Sequence, residues 1–162
     1  MITLPKFNNL NDLFAYMNKE VVPDILTKEV FDTVTEAQSR NVEKTVYDAY
    51  SPASYERRGR NGGLADPKNN IATFSHSLSS VKMLIQNTTK GKNQNIYTAG
   101  LVEKGHDAGY GEYQFPYNST GDADNFLSAR PFISNTINEL KRTLAHIESF
   151  KKGLNRWNIK VR

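Results

Sequence analysis

Apolar residues recur at helical spacing towards both ends of this chain and alternate at strand spacing in its middle. Leu10, Leu13, Phe14 and Met17 follow steps of three, one and three, which sets them on one helical face, and Asn9 or Asn11 can cap the first turn. The spacing predicts a helix of two to three turns. Pro23 and Asp24 then open a second helix, where the missing proline N–H costs nothing and the acid suits the helix dipole. Ile25 or Leu26, Val30, Val34, Ala37 and Asn41 continue one stripe towards Tyr47. Lys28, Asp32, Glu36, Gln38, Glu43 and Lys44 line the other face. This is the longest regular pattern in the chain, and a sheet is the expected partner of its apolar side.

After Tyr47 the helical period stops. Prolines, glycines and tyrosines crowd the stretch to Asn70, and Ser51-Pro52 turns the backbone away from helix, so this is a connection. Ile71, Thr73 and Ser75 then alternate with Ala72, Phe74 and His76, and Val81, Met83 and Ile85 with Lys82, Leu84 and Gln86. Two antiparallel strands follow, and after a polar turn at Thr88 to Asn95 a third strand is expected over residues 95–101. Thr98 to Lys104 reads as a short helical or extended segment stopped by Gly105. About twenty residues without period come next, an expected arm over 105–129. Pro131 begins the last helix, with Ser134 an alternative cap. Phe132, Ile133, Ile137, Leu140, Leu144, Ile147 and Phe150 form its stripe until Gly153 stops it. Residues 153–162 form a tail, an edge strand or a segment that docks on a neighbour, as Trp157 in so polar a setting suggests. The expected fold is a single α+β domain over residues 1–162. A small antiparallel sheet packs against a long N-terminal helix and a C-terminal helix, with long loop or arm insertions.

Composition narrows this picture. With 162 residues the chain can bury one real core but would be cramped as two domains. Apolar residues make up only 38%, which points to extensive polar surface or to surfaces covered in an assembly. The net charge of +4 comes from 21 basic and 17 acidic residues, so a nucleic-acid contact would need its cations gathered on one face. Absence of cysteine excludes disulfides, thiolate nucleophiles and cysteine zinc sites. No signal peptide or membrane span is expected, and the protein should be made in a cytoplasmic setting.

Candidate chemistry is sparse. His76, His106 and His146 stand apart on a strand, a loop and a helix, with no paired-histidine metal spacing. Asp122 and Asp124 form a DxD that lacks the later acid of a calcium loop. No nucleophile elbow and no phosphate loop occurs. We therefore expect no catalytic residues, no metal and no cofactor. Arg57, Arg58 and Arg60, downstream of Tyr47, Tyr50 and Tyr55, form the tightest basic cluster of the first half. They suit either a protein interface or, with Lys151, Lys152 and Arg156, a nucleic-acid contact through charge and stacking. Tyr110, Tyr113, Phe115 and Tyr117 in the arm and Trp157 in the tail join Tyr55 and these arginines as interface candidates.

Several short motifs add a resemblance through their order. The helix PDILTKEVFDTV, the turn at Gly63-Leu64, Tyr97, Val102-Glu103-Lys104-Gly105 and Arg130-Pro131-Phe132 succeed one another between Pro23 and Leu140. In this the chain resembles the tail-completion or neck proteins of tailed bacteriophages. Two departures stand out: Gly62 where the family usually carries threonine, and a longer insertion between Gly105 and Arg130. The resemblance implies a structural, non-enzymatic virion protein at the head–tail junction. It implies a homo-oligomeric ring, six-fold or twelve-fold, between the head-side connector and the tail proteins, with genomic DNA passing through the lumen. A small DNA- or RNA-binding protein using the Arg/Tyr loop is the alternative.

Overall fold

The computed structural model describes residues 5–49, 56–77, 79–91, 98–105 and 129–160, which form an α+β fold. Its axis is one uninterrupted helical rod, α1, over residues 10–47. Asn9 caps the rod, its side chain accepting from the Asp12 backbone N–H at 2.9 Å. The break expected before Pro23 does not occur. The preceding turn, Met17–Val21, is π-helical, so the Val22 N–H reaches back five residues to the Met17 carbonyl. Pro23 then falls in the first turn of the α-helical stretch Val22–Ile25, where it fits without breaking the rod. A second π-helical turn, Leu26–Val30, inserts an extra residue between Ile25 and Val30. That keeps both on the buried side although they are five apart, and Val42 and Val46 extend the same side.

What covers this side is mainly helical, which corrects the expected sheet. Helices α3 (Phe132–Thr143) and α4 (Ala145–Arg156) run along it, and the sheet reaches it through Met83. At one end Val21, Ile25, Val30 and Leu154 pack with Met17, Val34, Phe150 and Trp157. At the other, Val42 and Val46 meet Leu64, Ala65, Ala99, Val102 and Phe132. Small and polar residues separate the two clusters. Ser39 and Thr35 are buried, Ser39 donating to the Thr35 carbonyl, and the hydroxyls of Thr33 and Ser149 meet across the helices. Glu139 accepts from Arg40 and from Asn41, each at 2.7 Å, and the Arg40 guanidinium foremost holds its carboxyl below the usual range.

The C-terminal stripe was expected to be one helix ending at Gly153. Instead it is two helices, because Leu144 adopts a left-handed conformation (φ 56°) between them. Gly153 lies inside α4, where the helix crosses α1. A β-carbon there would stand 2.4 Å from Cγ2 of fully buried Ile25, so glycine serves close approach. Tail residues up to Arg156 are helical. Beyond them Trp157 meets the Tyr16 ring edge-on, at 6.3 Å, and donates to Asp24 at 2.9 Å. Arg156 bridges Asp24 and Glu29, and Lys28 also pairs with Asp24.

The sheet is a two-stranded antiparallel ribbon of β1 (Asn70–His76) and β2 (Val81–Asn87). Its register pairs Ala72 with Ile85 and Phe74 with Met83 on the inner face, and Thr73 with Leu84 on the outer. Of the third strand expected over 95–101, the described part is helix: Thr98–Lys104 forms α2, ended by Gly105 at φ 69°. Buried Ala99 and Val102, three apart, give it a helical face directed into the core.

Two tests follow from this packing. Gly153→Ala gains helix propensity of about 1 kcal/mol but meets Ile25, and overpacking of about 1–3 kcal/mol should outweigh it. Urea denaturation should therefore show G153A destabilised; equal or greater stability would mean that the crossing relaxes freely. Burial raises the Asp24 pKa, but hydrogen bonds from Lys28, Arg156 and Trp157 together outweigh it and leave the carboxyl at about 2. Its contribution is complete above the unfolded value of about 3.9 and is lost as pH falls towards the folded one, a loss of about 1–2 kcal/mol. Between pH 5 and pH 2 the urea midpoint of Asp24→Asn should therefore fall less steeply than that of the parent.

Candidate functional site

The motif residues that lie far apart in sequence meet around the second core cluster. Gly63 and Leu64 form a turn stitched by side chains. Asn69 donates to the Gly63 carbonyl at 2.8 Å, Thr89 donates to it at 3.3 Å, and Asn87 donates to the Leu64 carbonyl at 3.1 Å. A β-carbon on Gly63 would stand 2.4 Å from the Gly59 carbonyl oxygen, so only glycine fits. Gly62 has φ 76°, a conformation suited to glycine. Asp66 closes the turn by accepting from the Gly62 and Lys68 N–H groups, and those bonds, led by that of Gly62, lower its pKa. Leu64 is thereby delivered beside Val42, Val46, Val102 and Phe132.

On the other side of that cluster, α2 and α3 are locked together. The Arg130 N–H donates to the Val102 carbonyl at 2.9 Å. Glu103 caps α3: its carboxylate accepts from the Ile133 N–H at 2.7 Å, the Ser134 N–H at 3.0 Å and the Ser134 hydroxyl at 2.6 Å. It thereby takes the capping role considered for Ser134. A negative charge at a helix N-terminus both satisfies free N–H groups and complements the dipole. Pro131 precedes the helix and is exposed, whereas Phe132 is fully buried. Val102, Glu103, Arg130 and Phe132 thus form one junction, with Gly105 and Pro131 next to it in the chain, between the described stretches on either side of 106–128.

The basic cluster is engaged within the fold. Arg57 donates to the Tyr47 carbonyl at 2.6 Å and lies over the Tyr47 ring at 5.1 Å. The Arg130 guanidinium reaches the Val46 carbonyl at 3.4 Å. Both cations sit at the C-terminal carbonyls of α1, where the helix dipole favours them. Arg58 donates to the Lys90 carbonyl at 2.9 Å. Arg60 pairs with Glu43 at 2.8 Å and Glu36 at 3.0 Å, and the bonds to Glu43 foremost raise its pKa. In the alternative basic set, Lys151 pairs with Glu148 at 2.8 Å, and Arg156 is bound to Asp24 and Glu29.

Among the described residues no group of three His, Asp or Glu is placed to hold a metal, and no helix is long and apolar enough to cross a membrane. His76 is exposed on β1, and His146 lies on α4 with its Nδ1 buried and without a hydrogen-bond partner. His106, Tyr50, Tyr55, Tyr97, Tyr110, Tyr113, Phe115, Tyr117, Asp122 and Asp124 lie outside the described residues.

Three apolar surfaces stand out instead. The first turns of α1 expose Leu10 and Phe14, 67% and 57% accessible; the sheet exposes Ile71 and Leu84. Along α3 and α4 the stripe expected in the core is largely outside. Phe132 is buried, but Ile133, Ile137, Leu144 and Ile147 are 36–48% exposed. The inward side of α3 carries buried Phe132 and Thr136, with Asn135 donating to Thr45 at 3.1 Å and Glu139 accepting from Arg40 and Asn41 of α1. Periodicity alone finds the row but cannot say whether it turns inward.

A family model described as YomN matches residues 9–156. No curated protein and no solved structure matches the chain.

The Glu103 cap sets a direct test. Glu103→Ala should lower stability by about 1–2 kcal/mol in urea denaturation, and Glu103→Gln by less, because its amide oxygen still accepts. Equal stability of E103A and the parent would mean that α3 starts without help from Glu103.

Proposed function

The chain belongs to the YomN family, a phage-associated family, and on that footing we propose that it is a structural component of a tailed-phage virion. Its role is that of a ring-forming neck or tail-completion subunit, without catalytic activity, that joins the head-side connector to the tail. The observation that carries this reading is the set of separate apolar surfaces at Leu10 and Phe14, at Ile71 and Leu84, and along α3–α4. A subunit that worked alone would gain by hiding or replacing them, whereas a ring needs at least two different faces that meet on successive copies. The motif junction supports the reading from within. Glu103, Arg130 and Phe132 fix the base of segment 106–128 to the core, as suits a segment that contacts something outside the subunit.

The ring is six-fold or twelve-fold, and its lumen passes the genomic DNA without holding it tightly. Mild net positive charge suits that passage. Engagement of Arg57, Arg58, Arg60 and Arg156 in intramolecular contacts leaves the nucleic-acid alternative with less of its basic cluster.

A phage carrying a nonsense mutation in this gene should accumulate filled heads and separate tails that fail to join, as seen by electron microscopy of lysates. Complete, infectious particles lacking the protein would refute the assignment.

A further inference from the structure

The exposed row on α3 and α4 is continuous. Ile133, Ile137, Leu140 and Leu144 follow steps of four, three and four, and the Ile147 N–H bonds to the Leu144 carbonyl at 2.9 Å, so the row passes the bend. Lys141 and Lys151, four residues beyond Ile137 and Ile147, edge it as exposed cations, with Lys151 paired to Glu148. The strip is apolar in the middle; Lys141 adds a positive charge at its margin, while Lys151 is balanced there by Glu148.

Residues 106–128 have the complementary composition. They hold Asp107, Glu112, Asp122 and Asp124 but no lysine or arginine, so the positive excess of the chain lies wholly outside them. They also hold Tyr110, Tyr113, Phe115 and Tyr117, side chains that supply large contact area at low entropic cost. The Val102–Arg130 bond and the Glu103 cap place the described chain on either side of 106–128 beside the N-terminus of α3, at the edge of the strip. At about 3.3–3.6 Å per residue, half the segment spans more than 30 Å. The strip, some fourteen residues of helix, is about 20 Å long.

We infer that the α3–α4 strip is the seat for residues 106–128 of a second copy of this chain, an inference that rests on the ring reading above. Donor segment and acceptor strip are different surfaces, so each copy gives one and receives the other, and the contact repeats around a closed ring. Acidic groups of the donor face Lys141 and its neighbours while the aromatic rings cover the isoleucines.

The test is native mass spectrometry of the full chain and of two variants, one with Ile137→Asp in the strip and one with Tyr110, Tyr113, Phe115 and Tyr117 all changed to Ser. The parent should oligomerise, and each variant alone should be at least tenfold weaker in self-association. Mixed together, the two should form a one-to-one dimer that grows no further, because only one intact segment and one intact strip remain to pair. Circular dichroism checks folding, and Ile147→Asp replaces Ile137→Asp if the latter unfolds. Variants that assemble like the parent would overturn the seat and leave the ring reading standing. Variants that stay monomeric even when mixed would overturn the exchange between copies. A parent chain that is monomeric at every concentration, with or without its virion neighbours, would remove the ring reading and the seat together.

Discussion

The fold depends on the closure made where Phe132 enters the cluster of Val42, Val46, Leu64, Ala65, Ala99 and Val102. Helix α1, like most helices in proteins, draws its stability mainly from packing of one face rather than from local propensity, and that face is covered by distant parts of the chain. Three stretches of chain supply that cover here, at Leu64-Ala65, Ala99–Val102 and Phe132, and the Gly63-Leu64 turn, the Val102–Arg130 bond and the Glu103 cap hold them together. A large aromatic group with no exposed surface makes the cluster sensitive to all of them at once. The far end of α1 is fixed differently. There Gly153 lets α4 approach Ile25, and Asp24 gathers Lys28, Arg156 and Trp157 into a partly buried ionic group.

Several charged groups thus serve the fold itself. Arg57 and Arg130 finish the C-terminus of α1, Glu103 starts α3, and Arg60 ties the connecting loop to Glu36 and Glu43. A sequence-level basic cluster of this kind reads as a binding patch, yet here its members meet carbonyls and carboxylates of their own chain. The arginine fork suits both uses, since planar donors recognise a helix end or a carboxylate as readily as a phosphate.

Apolar residues show the reverse. Polar groups of α1 at Arg40, Asn41 and Thr45 take Glu139 and Asn135 of α3, and the row that includes Ile137 and Leu144 is displaced to the outside. Under the proposed ring role, the low apolar fraction and the exposed rows would share one explanation, hydrophobic surface kept for contacts between copies. Membership of a phage-associated family fits such a design.

Much of this could be read from the sequence. Steps of three and four placed both helical regions, alternation placed the ribbon strands and Asn9 marked the first cap; of the motif residues, Leu64, Val102 and Phe132 share a core cluster, which their order in the chain did not foretell. The helical, strand and cap patterns are local signals, and local backbone preference is enough to express them. The sequence could not give the unbroken course of α1 past Pro23, because a widened turn absorbs the proline. Nor could it give the helical state of Thr98–Lys104, the bend at Leu144 or the packing role of Gly153. Periodicity fixes which residues share a face; which way that face turns depends on partners distant in the chain. Only the tertiary structure could decide that Phe132 goes in while Ile133, Ile137 and Leu144 stay out, because a polar stretch of α1 selects the polar side of α3 and leaves the apolar row exposed.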